Sequence, residues 1–179
     1  MKLKDLVTIP EKKSVAHPEL EKSILVQLHC KGLKINDKPI KPTKRGRPYY
    51  KRYENEILIG RQNIHNGSFG LVTPEFNGLI CSNAITSLIP KENTNMEYLL
   101  YYLEHENYHK SLEKYMNGTG QKELSEKNIL ELPISIHDKN TQNKIAGMFK
   151  NLKYKNELHK NQLIQLKKYK KGLLQKMFC

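Results

Sequence analysis

Between Thr141 and Met177 the chain has no proline, and Gly147 is its sole glycine before Gly172 near the end. Written in heptads, Phe149, Asn156, Leu163, Lys170 and Met177 fall at one core position. Ile145, Leu152, His159, Leu166 and Leu173 fall at the other. Two rows at this spacing predict a helix that packs lengthwise against another helix. At about 1.5 Å per residue it would run for roughly 50 Å, more than a small domain can cover, so a partner helix is expected. Polar Asn156, His159 and Lys170 interrupt the rows, which costs stability and can fix register and partner. The alternative is an exposed amphipathic helix draped over its own domain.

With 179 residues the chain can hold one domain with a proper core plus an extended element. Apolar residues make up 37% and charged residues 27%, a globular balance, yet the net charge is +13, which points to an anionic partner. Residues 139–179 carry eleven lysines against Glu157 alone, a net of +10. In the remainder, Lys41, Lys44, Arg45, Arg47, Lys51 and Arg52 cluster without an intervening acid. Tyr49, Tyr50 and Tyr53 interleave with this patch, a mixture suited to phosphate and base contact. A solvated charged turn is the plainer reading.

Cys30, Cys81 and Cys179 lack paired spacing, so reduced thiols are expected rather than a disulfide framework or zinc knuckle. No segment approaches the roughly twenty apolar residues of a membrane span, and Met1 to Pro10 has no apolar signal core. A cytoplasmic protein with no membrane partner is expected.

Strands are predicted at Ile24–Leu28, Tyr49–Tyr53, Glu56–Ile59, Phe69–Val72, Leu79–Cys81 and Ile85–Ile89. Asn66-Gly67 and Asn77-Gly78 give hairpin signals, and Gly32 with Asn36-Asp37 marks turns. Helical spacing runs from Asn95 or Met96 toward Met116, with Asn117-Gly118 as its stop. Ser125 caps a short helix, Ile134–Ile136 reads as a strand, and Asp138 to Thr141 caps the long helix. The expected organisation is an α/β (α+β) body over residues 1–138 followed by a projecting coiled-coil helix over 139–179.

Three motifs bear on chemistry. His105-Glu106-Asn107-Tyr108-His109 fits the H-E-x-x-H pattern of zinc peptidases, but Lys110-Ser111-Leu112 follows where one large class places a glycine and a third histidine. A small zinc metallopeptidase using His105, Glu106 and His109 therefore stands as the enzyme alternative. Gly118-Thr119-Gly120-Gln121-Lys122 is too short for a P-loop; it can cap a helix, or Gln121 and Lys122 can touch DNA. Lys44-Arg45-Gly46-Arg47-Pro48 resembles the core of an AT-hook, whose arginines enter a narrow minor groove, and it reads here as a basic loop on a folded domain. Neither a dinucleotide fingerprint, nor an Asn-Pro-Pro-aromatic methylation motif, nor a convincing nuclease carboxylate set is present, so no cofactor is expected on this chain.

Gly60 through Val72, Ser82-Asn83, Gly118 to Lys122, Leu132-Pro133-Ile134, Gln142 to Ala146 and Lys170 to Phe178 together resemble the specificity subunit of type I restriction-modification enzymes. That family joins a target-recognition domain to a long helix, and a full-length subunit carries two such units with antiparallel helices. The resemblance implies double-stranded DNA as ligand for this single unit, and a homodimer through antiparallel C-terminal helices. It also implies adenine methyltransferase subunits as partners, with motor-nuclease subunits joined through them; S-adenosylmethionine, ATP and Mg would belong to those partners.

For the body, phosphate contacts are expected from Lys44, Arg45, Lys51, Arg52 and Lys122, with Tyr49 in the same interface. Base-edge contacts are expected among Arg47, Arg61, Asn63, His65, Asn66 and Gln121. For the helix interface the expected residues are Ile145, Phe149, Leu152, Asn156, His159, Leu163, Leu166, Leu173 and Met177. A coiled-coil adaptor without DNA readout is the third reading.

Overall fold

A computed structural model describes residues 1–36, 38–40, 48–116 and 123–178. Among the described residues eight strands form two four-stranded sheets. They are β1 Val7–Thr8, β2 Ser23–Val26, β3 Leu33–Asn36, β4 Tyr49–Lys51, β5 Ile57–Gly60, β6 Phe69–Leu71, β7 Ile80–Ser82 and β8 Ile85–Pro90. One sheet has the order β1-β8-β5-β6, the other β3-β2-β7-β4. Four α-helices follow among the described residues: α1 Met96–Glu104, α2 Glu106–Ser111, α3 Glu126–Leu130 and α4 Lys139–Phe178. This is the mixed α/β body with a long C-terminal helix that the sequence predicts.

Strand β5 shows how the layers stack. Alternate side chains of a strand face opposite ways, and here both faces are buried. Ile57 and Ile59 join Leu88, Phe69, Leu99 and Leu103 in a core beneath the helices. Leu58 points the other way, into a smaller core with Ile24, Val72, Phe76 and Cys81. The β5 sheet is thus the middle layer, with helices on one face and the second sheet on the other.

Four local expectations change. Leu33–Asn36, where no strand was expected between the turn signals at Gly32 and Asn36-Asp37, is a strand paired antiparallel with β2, Ile24 opposite Ile35; its apolar residues close the edge of the smaller core. Asn77-Gly78 does not close a hairpin, because β6 and β7 belong to different sheets; Gly78, at φ +80°, donates its N–H to the Arg52 carbonyl instead. The helix expected over 96–116 breaks at His105, whose ψ of 122° is extended, and ends in a 3-10 turn at Leu112–Tyr115. The break turns His109 inward against Phe69. Ile134–Ile136 forms no ladder: the Leu132 carbonyl accepts from Leu3, and Ile134 donates to the Met1 carbonyl.

The root of α4 is fastened to the body. Asp138 accepts from the amides of Asn140 and Thr141 at 3.0 and 3.1 Å, as an N-cap does. Buried Gln142 donates to the His137 carbonyl at 2.8 Å and accepts from the Asn95 amide at 2.8 Å. Lys150 pairs with Glu97 of α1 at 3.1 Å. From Met148 onward nearly every residue is exposed.

Candidate nucleic-acid interface

The turn Arg61–Asn66 leads out of the central strand β5 and returns into β6. Ile64 anchors it in the core. The Asn63 carbonyl accepts from the amides of Gly67 and Ser68, closing the turn. Gly67 sits at φ +67°, and a Cβ there would stand 3.1 Å from the Cys30 amide nitrogen, so both backbone conformation and space demand glycine. Arg61, Asn63, His65 and Asn66 are left half-buried along one short segment.

Arg61 is held by carboxylates rather than free. Its guanidinium lies 3.7 Å from Glu123 and 4.0 Å from Glu126. Glu126 also takes Lys12 at 2.7 Å and the Thr86 hydroxyl at 3.1 Å. Asn66 donates to the Asn63 side chain at 3.4 Å. The His65 carbonyl lies 2.9 Å from His109 Nδ1, which places that ring's proton on Nδ1. His65 Nδ1 itself is enclosed with no hydrogen-bond partner among the described residues.

Lys44, Arg45, Arg47, Gln121 and Lys122 lie outside the described residues. The described residues next to those two stretches, however, converge on Arg61. The Pro48 carbonyl accepts from Asn83; the neighbouring Ala84 carbonyl accepts from Arg61; the Arg61 carbonyl accepts from Leu124. One end of the body therefore gathers the Arg61–Asn66 turn, the Asn83–Ala84 turn, Pro48 and Leu124.

On β4, Tyr49 is half-buried and opposite Ser82, and exposed Lys51 is 3.8 Å from Glu21. Arg52 corrects the expectation of a phosphate contact. It is only 2% exposed, donates to the Ile85 carbonyl at 2.9 Å and lies beside the Tyr50 ring. Strand alternation sends Lys51 and Arg52 to opposite faces, a signal available in the sequence. Glu123 and Glu126, which face Arg61, and Lys12, which pairs with Glu126, were not legible: nothing in their spacing marks them.

The zinc-peptidase alternative does not assemble. His109 lines a polar hollow of about 670 Å³ with His29, Cys30 and His65, whereas His105 lines a different, aromatic hollow. Glu106 is paired with Lys110. Among the described residues no three His, Cys, Asp or Glu side chains stand where they could share an ion. Burial pushes the Cys30 thiol up to about 11, so it is protonated and a poor nucleophile. Burial also raises the Glu104 carboxyl on the same wall to about 7, with Lys153 acting in the opposite direction.

Along α4 the two heptad rows stay open. Leu152, Leu163, Leu166, Leu173 and Met177 are exposed, as are Asn156, His159 and Lys170 between them. Ile145 and Phe149, at the root, pack against the body's own α1; the Phe149 and Tyr101 rings lie 5.2 Å apart. No helix among the described residues is long and apolar enough to cross a membrane.

The fold has close counterparts among solved structures. The HsdS subunit from Thermoanaerobacter tengcongensis superposes with a TM-score of 0.64 at 12% identity, over 89% of this chain and 43% of that one. A chain from a structure of the complex assembly and conformational transition of the type I R-M system gives 0.57 at 11% identity, over 88% and 43%. The chain thus spans less than half the length of the solved chains it matches. No curated protein matches it in sequence. The family model of the type I restriction modification DNA specificity domain matches residues 1–168, and the chain belongs to that family.

Proposed function

We propose that this chain is one reading unit of a type I restriction-modification specificity subunit. Residues 1–138 bind one half of a bipartite site in double-stranded DNA, and residues 139–179 set the spacing to a second unit. The observation that carries the reading is the pairing of two features in one molecule. One end of the body gathers Arg61, Asn63, His65 and Asn66 with the Asn83–Ala84 turn and Pro48, and a helix stands free with an apolar seam exposed.

The free part of α4, Met148 to Phe178, would extend ~45 Å at ~1.5 Å per residue. Two such helices side by side and antiparallel hold two bodies more than one ~34 Å turn of DNA apart, so both can read one face of the duplex. If both units are copies of this chain, two-fold symmetry calls for an interrupted palindrome.

In this reading the chain makes and breaks no bonds. Adenine methyltransferase subunits bring S-adenosylmethionine, and motor-nuclease subunits joined through them bring ATP and Mg, all in the cytoplasm. The test is to map methylated adenines in DNA from cells expressing this chain with and without its methyltransferase. The expected result is a single bipartite motif that appears only with both proteins. Methylation at the same motif without this chain would refute the reading.

A further inference from the structure

An aromatic hollow of about 360 Å³ lies at the root of α4. Tyr98, Tyr101, Tyr102, Tyr108 and His105 form one wall, and the seam residues Ile145 and Phe149 form the other, so the hollow opens on the side along which a partner helix would run. Two hydroxyls are already used on the backbone: Tyr108 donates to the Pro133 carbonyl and Tyr102 accepts from the Ser135 amide. What those tyrosines offer the hollow is ring surface. At the far end of α4, Met177 and Phe178 are 71% and 80% exposed, the least covered apolar pair on the helix.

Seam chemistry decides which end meets the root. In a parallel pair each seam residue faces its own copy, which sets Lys170 against Lys170 in the core. In an antiparallel pair mirrored about Asn161, each polar residue faces a leucine: Asn156 opposite Leu166, His159 opposite Leu163, Lys170 opposite Leu152. This register uses all ten seam positions; sliding by one heptad leaves some unmatched and sets His159 against Lys170 or against Asn156. The same mirror places Met177 opposite Ile145, beside the hollow.

We infer that the aromatic hollow is the seat of Met177 and Phe178 from a second copy of this chain, so that each helix end is clasped by the other copy's body. The clasp rests on the self-pairing proposed above and adds to it a fixed register: end-docking couples the position of each body to the length of the helix, making the spacer rigid at both ends.

The test uses the full chain with Cys179→Ser. His105→Cys with Phe178→Cys should give a covalent dimer with a short bis-maleimide. His105→Cys with Tyr169→Cys, which puts the second thiol ~13 Å back along the helix, should not. Separately, Met177→Ala with Phe178→Ala should weaken dimer affinity about 100-fold in sedimentation equilibrium, since two-fold symmetry counts each loss twice. A dimer of unchanged affinity with no cross-link at position 178 overturns the clasp and leaves seam pairing standing. Cross-linking at position 169 overturns the register. A parent protein that stays monomeric at every concentration removes self-pairing and the clasp together.

Discussion

Arg52 offers the sharpest separation between stability and DNA contact. It follows β4, an edge strand of the second sheet, yet its guanidinium donates to the Ile85 carbonyl at the start of β8 in the central sheet, bridging the layers. Removing a hydrogen bond from a charged donor costs about 1.5–3 kcal/mol, and truncating a large enclosed side chain costs about 2–5 kcal/mol through lost packing. Relief from burying a charge, with Nε unpartnered among the described residues, offsets part of this. The net expectation for Arg52→Ala is a loss of about 3 kcal/mol. For a chain of this size that lowers Tm by roughly 6–12 °C. The paired measurement is DNA affinity against salt, at a temperature where the variant stays folded. Because no phosphate contact is lost, the slope of log K against log salt should match the parent's. An Arg52→Ala variant with unchanged Tm and a slope shallower by about 0.9 would refute the burial argument and restore Arg52 to the DNA interface.

Lys51→Ala is expected to do the reverse, keeping Tm and lowering the salt slope by about 0.9, while Arg61→Ala should weaken specific more than non-specific binding; equal losses for both ligands in competition assays would remove Arg61 from base readout. Glu104 supplies a pH dependence. Its folded value of about 7 lies above the 4.5 of a free glutamate, so the folded state holds the proton more tightly and stability falls as pH rises from about 4.5 to about 7, then levels. Glu104→Gln should remove that fall, making the variant more stable than the parent at pH 8 and similar at pH 4.5 by urea denaturation. Finally, each α4 segment carries a net +10, so self-association should tighten as salt rises from 50 to about 300 mM; weakening over that range by sedimentation would show that the seam is not holding two like-charged helices together.

Much of this architecture was legible in the sequence because it is locally encoded. The apolar, β-branched stretches expected as strands at Glu56–Ile59 and Ile85–Ile89 became strands, and Ser125 and Asp138 cap the helices they were expected to cap. The proline-free heptad stretch became one continuous helix. The specificity-subunit family was legible from scattered short motifs. The sequence by itself thus determined most of the elements and the long C-terminal helix, since side-chain spacing and backbone preference act over a few residues.

Only the tertiary structure decided how those elements meet. Asn77-Gly78 carries hairpin chemistry, but its flanking strands found better partners in two different sheets. The helix from Met96 broke at His105, and His109 packs against Phe69 and reaches the Arg61–Asn66 turn. Arg52 went inward while Lys51 stayed out, and Lys12 and Thr86 came from distant segments to hold Glu126, which faces Arg61. These choices depend on contacts between residues far apart in the chain, whose energies exceed local preference and leave no periodic trace.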